Sequence, residues 1–188
     1  MTAGELAALG ARLAGAAGID PAPACEIGPA PWGGRRSLAS ARLGPPATIV
    51  VTEQAAATLP DWRLAAVVAH ELGHIGQDRR RLDTAQLVLG VGLVATGLAV
   101  AAVLAGVPGG GALLAPAAVV TVAAAAVFLP ISKRLEYDAD RVGAELVGAA
   151  VLADHLDLVA REHHELPAWC HVIVAHPPSR TRAARLRN

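Results

Sequence analysis

This chain of 188 residues contains few cysteines and few aromatic side chains, and its formal net charge is zero. Its 2 cysteines, Cys25 and Cys170, are too few for a disulfide framework and lie in no metal-binding motif, so we expect free thiols in a reducing compartment. The 16 basic and 16 acidic residues balance. We therefore expect no nucleic-acid partner, and we expect the arginines at positions 180, 182, 185 and 187 to face solvent or anionic lipid headgroups.

Charge is missing altogether from two long stretches, Thr84–Gly106 and Gly111–Ile131. Each is long enough to cross a bilayer as a helix, which takes about 20 apolar residues. The glycine-rich turn between them is too short to hold a domain, so the pair predicts a transmembrane hairpin whose two outer ends lie on the same side. The alternative is a pair of buried helices in a soluble protein, because alanine is only weakly apolar.

Basic residues flank both outer ends of the predicted hairpin. Arg79, Arg80 and Arg81 precede the first stretch, Lys133 and Arg134 follow the second, and the turn has none. By the positive-inside rule, both ends are expected in the cytoplasm. The bilayer is then a partner of this protein.

An H-E-x-x-H motif, His70-Glu71-Leu72-Gly73-His74, lies in an apolar segment that predicts a buried helix. The i, i+4 spacing stacks the two imidazoles on one face, where both can bind one Zn²⁺ ion per chain. The glutamate between them can then act as general base toward water. The alternative is a chance motif on a structural helix, but buried histidines need a partner, and zinc would satisfy both.

A third ligand is expected after the hairpin, because a catalytic zinc takes three protein ligands and leaves one position open. Glu136 and Asp140 lie one turn apart on a predicted helix. Glu136 is the best candidate for the third ligand. Asp140 can orient a ligand histidine by accepting a hydrogen bond from the ring nitrogen that does not bind the metal. The alternative is a solvated, mixed-charge helix end at the membrane surface.

The rest of the chain predicts a mainly α fold with a small antiparallel β-sheet. A helix is expected over Ala3–Ala17, and strands over Ala24–Ile27, Ser37–Leu43 and Ala47–Thr52. Asp61 is expected to be the N-cap of the motif helix. The sheet either offers an edge to an extended peptide or simply packs under that helix.

The order of these features resembles a known family. The H-E-x-x-H motif, a membrane hairpin and then Glu136-Tyr137-Asp138-Ala139-Asp140 resemble the HtpX-like membrane zinc metallopeptidases, relatives of the type I CAAX prenyl protease and the BlaR/MecR sensor proteases. The strand Thr48–Thr52 and the C-terminal segment His176–Arg182 extend the resemblance over nearly the whole chain.

The resemblance implies a minimal gluzincin of the zincin-like fold, in which the membrane hairpin is inserted between the zinc-ligand segments. The peptidase domain would consist of residues 1–83 and 132–188, and the hairpin would consist of residues 84–131. It also implies supporting roles near the site for His176 and Arg182. We predict that these two residues are catalytic, as donors to the developing oxyanion. The remaining implied roles are zinc ligation by His70, His74 and Glu136, general-base catalysis by Glu71, and orientation of a ligand by Asp140.

Three functions stay open from the sequence. The first is a zinc endopeptidase in the bacterial cytoplasmic membrane, acting on protein or peptide substrates, membrane proteins among them, with its site and both termini in the cytoplasm. The second is a catalytically idle adaptor or sensor of the same fold, although a scaffold needs no general base. The third is a zinc hydrolase of a non-peptide amide. The sequence assigns no role to the histidines at positions 155, 163, 164 and 171, and it does not specify the oligomeric state.

Overall fold

The computed structural model describes residues 1–29, 38–77, 80–162 and 176–188, which form two compact units. The first unit contains the described residues of 1–77, 135–162 and 177–188. The second contains residues 80–134 and His176. The predicted fold class, mainly helical with one small sheet, is confirmed.

The sheet of the first unit has three strands, β1 (Ala24–Gly28), β2 (Ala39–Arg42) and β3 (Thr48–Thr52), in the order β1-β3-β2. Strand β2 pairs antiparallel with β3, but β1 pairs with β3 in parallel. The expectation of a wholly antiparallel sheet is therefore wrong for one of its two pairings. Successive strands alternate in direction, and placing β3 in the centre puts it beside β1, which runs the same way.

Helices surround this sheet. Helix α1 (Ala3–Ala16) begins with a capping box in which Thr2 and Glu5 satisfy each other's backbone N–H groups. Its leucines at i, i+3 and i+7 are buried, as amphipathic spacing requires. The other helices of this unit are α2 (Glu53–Thr58), α3 (Asp61–Ile75), the C-terminal part of α5 (Gly110–Val147), α6 (Ala149–Glu162) and α7 (Ser179–Arg187).

Helix α3 carries the H-E-x-x-H motif and is buried on several sides. Leu64, Val68 and Leu72 are fully buried against the core formed with α1 and the sheet. The N-cap of α3 is Pro60, and no side chain caps the helix. The prediction that Asp61 is the N-cap is wrong by one residue, because the proline already supplies the extended backbone. Asp61 lies instead in the first turn, where a carboxylate favours the helix dipole.

The second unit contains α4 (Arg80–Leu104) and the first part of α5. The two helices pack closely where Thr96 and Thr121 share a hydrogen bond of 2.9 Å between their hydroxyl oxygens. A Cβ on Gly92 would lie 2.9 Å from the Thr121 hydroxyl, so only glycine allows this approach. Gly106 and Gly109 supply positive φ angles of 69° and 81° in the turn.

Both helices are long and apolar enough to cross a membrane. Their most apolar windows have mean hydropathies of 2.5 and 2.4, and only 11% and 6% of the residues in those windows are buried. Leucine and valine side chains along both helices are exposed. Core helices of a soluble protein would be mostly buried. Among the described residues, most of the apolar surface of these two helices is not in contact with other parts of the protein.

A partly buried polar cluster joins α3 to α6. The Arg63 guanidinium donates to both Glu162 carboxylate oxygens, at 2.7 and 2.9 Å, and its Nε donates to Nδ1 of His155 at 3.4 Å. Because Nδ1 accepts this bond, His155 is neutral. Burial, together with the positive charge of Arg63, lowers the pKa of His155 to about 4. This histidine, to which the sequence assigns no role, helps to fix the helix that carries the motif.

His155 should therefore make stability depend on pH. Between pH 6.5 and about 4 the unfolded chain binds a proton at His155 that the folded chain does not bind. The unfolding free energy should then fall by about 3 kcal/mol as the pH is lowered through this window. His155→Gln keeps an acceptor for Arg63 but cannot titrate, so its loss over the same window should be smaller. Denaturant unfolding of the metal-free chain at several pH values measures this, and parallel curves for the two proteins would contradict it.

Candidate metal centre

Helix α3 aligns the two histidines of the motif on one face. Their Nε2 atoms lie 3.2 Å apart, and the rings meet edge to face with centroids separated by 4.7 Å. One helical turn brings residues i and i+4 together, so the geometry follows directly from the sequence spacing. Both rings are half-buried.

Helix α5 brings Glu136 to the same point. Its Oε2 lies 3.6 Å from His70 Nε2, and its Oε1 lies 3.5 Å from His74 Nε2. One ligand atom from each of the three residues lies within 4.8 Å of the others, so the group can hold a metal ion. Atoms bound at 2.0–2.1 Å around a tetrahedral zinc ion are about 3.3 Å apart. Two imidazole nitrogens and one carboxylate oxygen therefore fit zinc in both chemistry and spacing.

Asp140 lies one turn beyond Glu136 and contacts the far side of His70. Its Oδ1 is 3.1 Å from His70 Nδ1, so the carboxylate can accept the Nδ1 proton and leave Nε2 unprotonated on the ligand side. Burial alone would raise the pKa of Asp140, but hydrogen bonds from Arg182 and His70 lower it below its ordinary value. Asp140 is thus an ionised carboxylate held in place from two sides.

Arg182, on α7, joins the two carboxylates of α5. Its Nε and Nη2 donate to Asp140 at 2.7 and 2.6 Å, and its Nη1 lies 3.1 Å from Glu136 Oε2. Burial alone would lower the pKa of Arg182, but Asp140 and Glu136 raise it overall. The guanidinium therefore stays charged while only 8% exposed, and it fixes the orientation of both carboxylates.

Glu71, half-buried, lies beside this group. Burial raises the pKa of its carboxyl, and the Glu136 carboxylate adds to the rise, while His70 opposes it. The backbone N–H of Ala41, on strand β2, donates to the Glu71 carboxylate. Since Leu38 bonds to β3 through its carbonyl, the backbone groups of Ala39 and Ala41 point to the opposite edge of β2. The outer edge of β2 therefore lies next to Glu71.

The structure thus brings together six of the seven residues singled out from the sequence. The seventh, His176, belongs to the second unit, and its predicted role stays a prediction. The direct catalytic role predicted for Arg182 also stays a prediction. The expectations for His163, His164, Cys170 and His171 fall outside the described residues.

Sequence reasoning overlooked two residues of the centre, Gly73 and Gln77. A Cβ on Gly73 would lie 2.6 Å from the Cα of Ala139, so α3 and α5 touch backbone to backbone at this point. Small residues in both ligand segments are the signal that could have indicated this contact. Gln77 follows the end of α3 and hydrogen-bonds His74. Nothing in its local sequence indicates this role.

Comparison with protein families gives one match. Residues 36–188 match the model of peptidase family M48. No curated protein and no solved structure matches the chain. The matched segment contains the motif helix, the second ligand segment and α7.

Replacing Gly73 by alanine should separate the two ligand segments. The new methyl group cannot fit 2.6 Å from the Ala139 backbone, so α5 must shift and carry Glu136 with it. We expect Gly73→Ala to lower the unfolding free energy by about 1–3 kcal/mol and to weaken zinc binding on the order of tenfold or more. Gly76→Ala is the matched control, since Gly76 has open space around it and an ordinary φ of −75°. Equal zinc affinity in the two variants would contradict the prediction.

Proposed function

The chain belongs to peptidase family M48, a family of metallopeptidases, and on that premise we propose that it is a membrane-anchored zinc endopeptidase of protein substrates. The observation that carries the proposal is the convergence of His70, His74 and Glu136 beside the Glu71 carboxylate. These side chains come from segments on either side of the apolar hairpin. A structural role for the motif would not require them to meet.

The three converging side chains would hold zinc, and Glu71 would move the proton. Bound zinc would supply Lewis acidity and would lower the pKa of water toward neutrality. The Glu71 carboxylate takes the proton of the water that attacks the peptide carbonyl, and it later delivers that proton to the nitrogen of the leaving amine. A raised pKa suits this exchange, because the carboxylate becomes a better proton acceptor and still releases the proton afterwards.

Asp140 and Arg182 keep the ligands in position during this exchange. Asp140 holds the His70 ring, and Arg182 holds Asp140 and Glu136 together. We retain the proposal that Arg182 and His176 also donate to the oxyanion that forms on the carbonyl oxygen. The Arg182 guanidinium carries the positive charge that would stabilise such an oxyanion, and it lies beside the carboxylates of Glu136 and Asp140.

The outer edge of strand β2 faces Glu71, because the backbone N–H of Ala41 donates to the Glu71 carboxylate. The proposal of a peptide substrate rests on the family and on the group of side chains around Glu71. Addition of a peptide strand to this edge stays a prediction.

The hairpin supports membrane anchoring. Two exposed apolar helices, α4 and the first part of α5, would be covered by lipid. Arg80 begins α4, and Lys133 and Arg134 follow the apolar part of α5, so the positive-inside rule favours both ends in the cytoplasm. The metal centre and both termini would then be on the cytoplasmic side of a bacterial membrane.

Substitution of the general base separates catalysis from metal binding. We expect Glu71→Gln to bind zinc as the wild type does but to hydrolyse peptides about 10²–10⁴-fold more slowly. Glu136→Ala should lose zinc as well, because only two ligands remain. Zinc content and peptide cleavage by detergent-purified protein measure both effects. Glu145→Gln, an exposed glutamate of the same helix α5, is the control and should behave as the wild type.

Three results would count against the proposal. A wild-type chain that binds zinc but cleaves no peptide would favour the idle adaptor. Cleavage of small amides without cleavage of peptides would favour the non-peptide hydrolase. Full activity of Glu71→Gln would remove the proposed mechanism.

The proposed orientation predicts which positions a membrane-impermeant thiol reagent can reach. In a background without Cys25 and Cys170, we expect a cysteine at Val107, in the turn of the hairpin, to be labelled in intact cells. A cysteine at Asn188 should be labelled only after the membrane is disrupted. Labelling of both positions in intact cells, or of Asn188 alone, would contradict the cytoplasmic placement of the site.

A further inference from the structure

Gln77 makes two hydrogen bonds that reach different parts of the metal centre. Its Oε1 lies 3.3 Å from His74 Nδ1, and its Nε2 donates to the carbonyl oxygen of Leu135 at 2.7 Å. The side chain is half-buried and follows the C-terminal end of α3. Leu135 immediately precedes Glu136 on α5.

These two bonds determine the proton position on His74. The Leu135 carbonyl can only accept, so the amide nitrogen of Gln77 must face it. The amide oxygen then faces His74, and because that oxygen can only accept, His74 Nδ1 must carry the proton. Nε2 of His74 then carries no proton and lies 3.5 Å from Glu136 and 3.2 Å from His70 Nε2. Nε2 is the atom that faces the other two ligands.

The same side chain also links the two ends of the hairpin insertion. Gln77 is the last residue of the first unit before the insertion, and Leu135 is the first residue after it. The bond between them holds the backbone next to Glu136 at a fixed distance from the C-terminal end of α3. A change in the position of either segment would break one of the two bonds.

We propose that Gln77 is a positioning residue that sets the tautomer of His74 and couples that ligand to the segment carrying Glu136. The proposal rests on the zinc site described above as the proposed function. Gln77 does for His74 what Asp140 does for His70, but it does so with a neutral amide. It thereby orients the second histidine without adding a further negative charge beside three carboxylates.

The tautomer can be measured without metal. In the full-length chain, purified in detergent, labelled with ¹⁵N-histidine and held at pH 8, long-range ¹H–¹⁵N correlation spectra distinguish Nδ1–H from Nε2–H. We expect His74 to be in the Nδ1–H form. Gln77→Met, which is similar in size but lacks the accepting amide oxygen, should shift His74 toward a mixture of tautomers. The expected loss of zinc affinity, measured against a competing chelator, is about 10–100-fold.

Two further variants make the test specific. Gln77→Glu keeps an acceptor for His74 Nδ1 but cannot donate to Leu135, so it should keep the Nδ1–H tautomer and bind zinc with an affinity between those of wild type and Gln77→Met. Gln54→Met places the same side chain at an exposed position of α2 and should match the wild type in both measurements. This control accounts for any general effect of methionine.

The outcomes separate this inference from the proposed function. A wild-type chain that binds no zinc would overturn the proposed function, whereas the tautomer of His74 would still test Gln77. A Gln77→Met variant that folds and retains both the Nδ1–H tautomer and the wild-type zinc affinity would overturn the positioning role. So would an Nε2–H tautomer of His74 in the wild type.

Discussion

The whole metal centre depends on the close contact between helices α3 and α5. At Gly73 the two backbones approach so closely that a methyl group would collide with Ala139. The residues that meet across this contact are its near neighbours on each helix. His70 lies three residues before Gly73 and His74 directly follows it, and Glu136 and Asp140 lie in the same positions relative to Ala139. Packing of the helix backbones therefore decides the distances between ligand atoms, which local sequence spacing alone cannot do.

Charge balance explains why this contact can hold so many ionisable groups. Glu71, Glu136 and Asp140 contribute three negative charges when ionised, and Arg182 contributes one positive charge, so the cluster has a net charge of −2 with neutral histidines. Three carboxylates this close are unfavourable, and burial together with the Glu136 carboxylate raises the pKa of Glu71. A divalent cation held by the two imidazoles and Glu136 would balance the charge of the cluster. The donor set and the electrostatics thus favour the same kind of ion.

The sequence predicts local features of this arrangement well and long-range features poorly. Helical periodicity alone places His70 beside His74, and Glu136 one turn from Asp140. It cannot show which side of β3 receives β1, because that choice depends on packing within the folded unit. The bond from Gln77 to Leu135 joins residues 58 positions apart, so no local pattern reports it. The need of a catalytic zinc for a third ligand pointed to Glu136, and the family resemblance likewise implied that the two ligand segments belong to one site.

The same hydrogen bond joins the two ends of the hairpin insertion. Residues 77 and 135 flank the insertion and lie within bonding distance of each other, so the chain leaves and re-enters the first unit at one place. An insertion with adjacent ends does not pull the segments around it apart, and closure entropy grows only slowly with loop length. The apolar hairpin can therefore interrupt the ligand set in sequence without disturbing it in space. Because the insertion lies between His74 and Glu136 in sequence, the Gln77 side chain that joins its two ends also hydrogen-bonds the candidate ligand His74.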